Sequence, residues 1–177
     1  MKIHAITSNP GKFAEIKRHL PDVEQLDIDL DEIQSLDIKK IVEHKLVSAR
    51  EHHAGELIVD DVSVELDGMN GFPGHLIKWM NSALGPDGFY NVVKNLPIQT
   101  ASVICVIGYI DNADTIHTFE GKTEGKIVQS ENTATDGFGW DSLFMPDGAT
   151  MSFGEMSPTQ KQKFSHRAKA LHKFTEF

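Results

Sequence analysis

An α/β fold, with a sheet covered by helices, is predicted for this 177-residue chain by three features. Apolar alternation and helical spacing succeed one another as β-α-β-α-β from residue 2 to residue 61. Two long β-rich runs joined by a short polar turn follow in the second half. Hydrophobic content is 40% and charged content 24%. That is ordinary globular usage, and a chain of this size buries roughly 70% of the surface its unfolded form exposes.

The elements follow in order. "KIHAI" (2–6) alternates and runs into the turn "TSNPG", so it reads as a strand. Pro10 suits a first helical position, and "KFAEIKRHL" then places Phe13, Ile16 and Leu20 on one face. "VEQLDIDL" reads as a second strand. "IKKIVEHKLVSAREH" has helical spacing through Ile41, Val42, Lys45, Leu46 and Ala49. "GELIVDD" is the third strand, expected to end at Asp60 and Asp61.

"GFPGHLIKWMNSALG" and "DGFYNVVKNLP" read as two short helices separated by "GPDG", and "TASVICVIGYID" with "DTIHTFEGKTEGKIV" as a hairpin about "DNAD". In the last segment Ser157 before Pro158 starts a helix, and Ser165 caps a second one. No repeat or low-complexity linker interrupts the chain, so residues 1–177 form one domain with two lobes.

Charge and cysteine usage narrow the function. Acids outnumber bases 26 to 17, a formal charge of −9. Such a surface does not hold polynucleotide by general electrostatics, but a local basic pocket can still take a small phosphorylated ligand. The only cysteine, Cys105, lies in the apolar run "SVICVIGYI" and reads as a core residue in a reducing, cytosolic setting. No apolar run approaches the length of a membrane span, and the N-terminus is no signal peptide. The expected location is cytoplasmic.

Four stretches carry chemistry, each with a plainer reading beside it. "TSNPGK" (7–12) stands between a strand and a helix, where N–H groups and Lys12 suit a phosphate; it is otherwise an ordinary turn. Asp29, Asp31 and Glu32, with Asp60 and Asp61, stand near strand ends, where paired carboxylates call for a cation such as Mg²⁺; alternatively they are a solvated acidic edge. "TDGFGWDSLFMPDG" (135–148) could stack a flat ring or simply pack aromatics about glycines. "KQKFSHRAKAL" (161–171) offers His166 and Arg167 on a first helical turn, either as donors to a carbonyl or phosphate or as a basic face.

Taken together and in this order, the stretches resemble the inosine triphosphate pyrophosphatase family. The family's T-x-N-x-x-K loop stands here as Thr7-Ser8-Asn9-Pro10-Gly11-Lys12, and its acidic position as Glu32. Its "DDS/EDT" stretch stands as Asp60-Asp61-Val62 and its "ALNGxPG" as "GMNGFPG" (68–74). Its aromatic loop is "GFGWD" (137–141), and its terminal motif Ser165-His166-Arg167. "GHLIKWM" is similar to the family's "GPYIKWF".

The resemblance implies an elongated mixed β-sheet flanked by helices, two lobes with the active-site cleft between them, and a homodimer. It implies hydrolysis of deaminated purine triphosphates (ITP, dITP, XTP) to the monophosphate and pyrophosphate. Glu32 and Asp61 would bind Mg²⁺, with Asp61 also the general base. The nucleotide would meet Thr7, Ser8, Asn9, Pro10, Gly11, Lys12, Lys45, Val62, Lys78 and Lys161. Phe138 would stack on the base, Gly139, Trp140 and Asp141 would complete that wall, and His166 and Arg167 would donate to its C6 oxygen.

Val62 replaces the family's Ser or Thr, Ser63 a frequent Gly, and Ser142 a Pro. Two other readings stay open: a related pyrophosphatase for another modified or pyrimidine nucleotide, and a catalytically weak nucleotide-binding protein.

Overall fold

The computed structural model describes residues 2–129 and 139–177. Its strands are β1 (His4–Ile6), β2 (Glu24–Leu26), β3 (Leu57–Leu66), β4 (Pro73–Gly74), β5 (Thr100–Ile110), β6 (Ile116–Ile127) and β7 (Phe144–Pro146). Its helices are α1 (Pro10–His19), α2 (Ile38–His52), α3 (Ile77–Val93), α4 (Pro158–Phe164) and α5 (His166–Thr175). The strands form one mixed sheet in the order β2-β1-β3-β5-β6-β7, with β4 paired to β3. β1 runs parallel to β2 and to β3, whereas β7 runs antiparallel to β6.

The chain forms two compact units. The first holds residues 1–61, 105–121 and 167–177, and the second holds 62–104 and 122–166. β3, β5 and β6 are long enough for each to contribute to both.

In the first unit, α2 begins at Asp37, whose carboxylate caps the Lys39 N–H at 3.0 Å. Its buried face consists of Ile41, Val42, Lys45, Leu46 and Ala49, the residues its periodicity picks out. That face lies close against β5 at Gly108, where a Cβ would run into Val42 and Leu46. Leu57, Ile58 and Val59 of β3 complete this core with Val106, Ile107, Ala170 and Leu171. A continuous apolar run is what a sheet covered on both faces demands.

The second unit is built around Val64, Leu66, Phe89, Val93, Val103, Leu143, Phe144 and Phe153. α3 is two helical pieces: Gly85 adopts φ 65°, ψ 174°, and Pro86 starts the second piece. This is the break expected at "GPDG". α4 starts at Ser157, whose hydroxyl and the Gln160 side chain form a capping box.

Two boundaries differ from the sequence reading. β3 does not end at Asp60 and Asp61 but continues to Leu66. The acids stand in mid-strand because cations meet both of them there, as described below. β2 covers only Glu24–Leu26 rather than the whole of "VEQLDIDL". It is the last strand at its edge of the sheet, and Asp27, Asp29 and Asp31 beyond it are exposed, so water replaces pairing. The short β4 and β7 were not foreseen.

Candidate active site

The turn after β1 is organised by its own side chains. Thr7 Oγ1 accepts from the Asn9 N–H at 3.1 Å. Asn9 Oδ1 accepts from the N–H groups of Gly11 at 3.0 Å and Lys12 at 3.3 Å, and Pro10 brings no N–H to the first turn. The cap therefore holds two of the donors that the sequence reading aimed at a phosphate. Ser8 and Pro10 are exposed, and Lys12 projects from the first turn of α1.

Lys12 leads to Asp60. Its ammonium lies 3.2 Å from Asp60 Oδ2, on a carboxylate that is only 1% exposed. Arg167 Nε and Nη2 donate to that same oxygen, each at 3.1 Å, and Nη1 donates to Glu15 Oε2 at 2.5 Å. Burial alone would raise the Asp60 pKa, but Lys12, Arg167 and Lys45 outweigh it and hold the carboxyl well below the usual carboxylate range. Burial would likewise favour a neutral Arg167, and Asp60 and Glu15 reverse that.

A second network of the same unit is centred on Lys45. Its ammonium is 2.7 Å from Glu32 Oε1 and 3.3 Å from Asp61 Oδ2. Residues 32 and 61 therefore meet at one cation, and their oxygens can be no farther apart than those two lengths together. Burial alone would lower the Lys45 pKa, but Asp61 and Glu32 hold it above its ordinary value. Glu32 lies in a stretch without regular structure and its side chain is 46% exposed, against 17% for Asp61.

These two networks set three cations (Lys12, Lys45, Arg167) against four carboxylates (Glu15, Glu32, Asp60, Asp61). An excess of acid is a poor receptor for a polyanion unless a metal cation accompanies it. Among the described residues no three His, Cys, Asp or Glu side chains form a metal cage. Two carboxylates brought together are nonetheless the kind of donor set that Mg²⁺ accepts alongside phosphate oxygens and water. The residues fit such an ion.

The second unit holds the aromatic loop. Phe138 lies outside the described residues. Gly139 has φ +29°, and a Cβ there would meet the Asn81 amide, so glycine is required. Lys161 Nζ pairs with Asp141 Oδ2 at 2.5 Å and lies 5.4 Å from the Phe153 ring centroid. The His166 ring, 1% exposed with its residue, lies 5.8 Å from that of Trp140 and stacks 6.0 Å from Phe153. Val62 is buried in β3. Lys78 is exposed, with its ammonium 5.5 Å from the Trp79 ring centroid.

Sequence reasoning missed Glu15 and Phe153. Glu15 follows Lys12 by three residues on α1, a spacing that puts both on one helix face and could have revealed it. No signal distinguished Phe153.

The profile of the Ham1 family matches residues 3–177. The chain is 35% identical over 176 residues to an inosine triphosphate pyrophosphatase of Schizosaccharomyces pombe, spanning 97% of this chain and 92% of that protein. It is 32% identical over 181 residues to a dITP/XTP pyrophosphatase of Methanopyrus kandleri, spanning 100% and 96%. The solved Ham1 protein of Staphylococcus aureus shares the fold, with a TM-score of 0.83 at 24% identity over 100% of this chain and 97% of that one. A dITP/XTP pyrophosphatase from Mycobacterium abscessus shares it with a TM-score of 0.74 at 23% identity, covering both chains completely.

Proposed function

Since this chain belongs to the Ham1 family, we propose that it is a Mg²⁺-dependent hydrolase of deaminated purine nucleoside triphosphates. ITP, dITP and XTP are cleaved between the α- and β-phosphates to the monophosphate and pyrophosphate. The observation that carries this reading is the meeting of Glu32 and Asp61 on the Lys45 ammonium.

Asp61 is the general base: it takes a proton from the water whose oxygen bonds to phosphorus as the bond to the leaving pyrophosphate breaks. Glu32 and Asp61 would hold Mg²⁺, which would supply neutralisation of phosphate charge and a more electrophilic phosphorus. Lys45 holds the two carboxylates together and is placed to donate to a phosphate oxygen. Lys12 and the Ser8 hydroxyl receive the phosphates, and Thr7, Asn9, Pro10 and Gly11 shape that turn.

Gly139, Trp140 and Asp141, with Lys161 and His166, receive the base. Donors aimed at a C6 oxygen are left unpaired by adenine's amino group, a discrimination that can reach ~10⁴-fold. For Arg167 the buried ion pairs favour a supporting role over direct contact with the base. The exposed apolar side chains of Phe72, Leu76 and Trp79 support a homodimer.

No helix of the described residues is long and apolar enough to cross a membrane. We place the enzyme in the cytoplasm.

A panel of triphosphates assayed for pyrophosphate and monophosphate tests the reading. Turnover of ITP, dITP and XTP well above ATP supports it, and equal or better turnover of dTTP or UTP overturns it.

A further inference from the structure

Asp60 stands one residue before the proposed base and is the better buried of the two carboxylates. Its Oδ2 receives three cationic donors, Lys12 Nζ, Arg167 Nε and Arg167 Nη2, and its side chain is 1% exposed. An oxygen so engaged is a poor metal ligand and a poor base. We propose that Asp60 is a positioning residue for Lys12: locked by Arg167, it holds the lysine ammonium in place for the triphosphate. This inference rests on the functional reading above and adds a role for a residue that reading leaves idle.

Each member contributes a distinct part. Lysine has a flexible stem and a compact charge, and immobilising it on a phosphate costs rotamer freedom. Asp60, fixed within a strand, removes much of that cost in advance. Paired with Asp60 alone, Lys12 would be neutralised. Because Arg167 shares the carboxylate, Asp60 does not cancel the whole charge of Lys12, and with Glu15 on Nη1 the four side chains together are neutral rather than acidic. Glu15 in turn holds Nη1 of the buried guanidinium from α1 and fixes its orientation. Arginine suits this place better than lysine, since its planar fork reaches two carboxylates at once.

The test is a double-mutant cycle read by calorimetric binding of inorganic tripolyphosphate and of inosine triphosphate. Lys12→Gln and Asp60→Asn should each weaken both ligands tenfold or more, and the double variant should bind no more weakly than the worse single one. Losses that multiply, or an Asp60→Asn protein that binds like wild type, overturn the proposal.

Asp60→Asn leaves a buried arginine with one partner fewer, so a second measurement uses the unmodified chain. ¹⁵N relaxation of the lysine ammonium groups should show Lys12 ordered relative to the exposed Lys163. Equal mobility of the two overturns the proposal. A cycle that shows the coupling with tripolyphosphate, in a protein whose wild type does not hydrolyse inosine triphosphate, would defeat the functional reading and leave the clamp intact.

Discussion

The ammonium of Lys45 lies 3.3 Å from Asp61 Oδ2, and the lysine that carries it is 8% exposed. A helix residue on the apolar face of α2 thus ends on a carboxylate of β3, and it reaches Glu32 at the same point. Replacing Lys45 with Met keeps the stem's packing and leaves two carboxylates facing each other. We expect kcat for ITP to fall about 10²- to 10³-fold, the usual loss when one preorganised charge is removed. Steady-state kinetics checks it, with a melting curve showing the fold retained.

Asp61→Asn preserves shape and removes the base. The expected outcome is a fall in kcat of about 10²- to 10⁴-fold, with ITP binding only partly retained because the same carboxylate serves the metal. Single-turnover kinetics beside calorimetry separates the two effects. Near-normal turnover would take Asp61 out of the role.

The buried Asp60 makes stability depend on acid pH in a defined sense. Its folded pKa is depressed below the unfolded value. Its contribution is therefore complete above about pH 4 and is lost as pH falls through the folded value. Lys12→Met removes the strongest of the interactions that depress it. Urea unfolding at pH 7, 4 and 2.5 should show a shallower loss of stability below pH 4 in that variant than in wild type. Identical slopes would mean that Lys12 does not stabilise the ionised carboxylate.

Gly108 tests how closely α2 seats on the sheet. A methyl group there meets Val42 and Leu46. Gly108→Ala should cost about 1–3 kcal/mol, as overpacked cores do. Because Lys45 rides on the same helix face, the variant should also lose activity at temperatures where it remains folded. Thermal unfolding and ITP turnover at 25 °C check both parts.

Much of this was legible in the sequence because periodicity reports burial. The spacing of Ile41, Val42, Lys45, Leu46 and Ala49 gave the buried face of α2, including a lysine that only a fully paired environment would tolerate. Turn chemistry gave the Asn9–Pro10 start of α1 and the Gly85 break. β3 was cut short because two adjacent acids look like a solvent boundary when their partners are distant in sequence. Lys12, Lys45 and Arg167 come from three separate helices, and nothing local announces that they converge on residues 60 and 61. The aromatic loop was legible as a motif, but its packing partners Phe153 and Asn81 were not, since single apolar or amide residues carry no spacing signal.

The central claim is that residues 32 and 61 share a divalent ion. The most direct measurement is a Mg²⁺ titration of pyrophosphate release from ITP by wild type and by Glu32→Gln. No release is expected in excess chelator, with a half-activating Mg²⁺ concentration at least tenfold higher in the variant. Full activity in chelator, or identical activation curves for the two proteins, would contradict it.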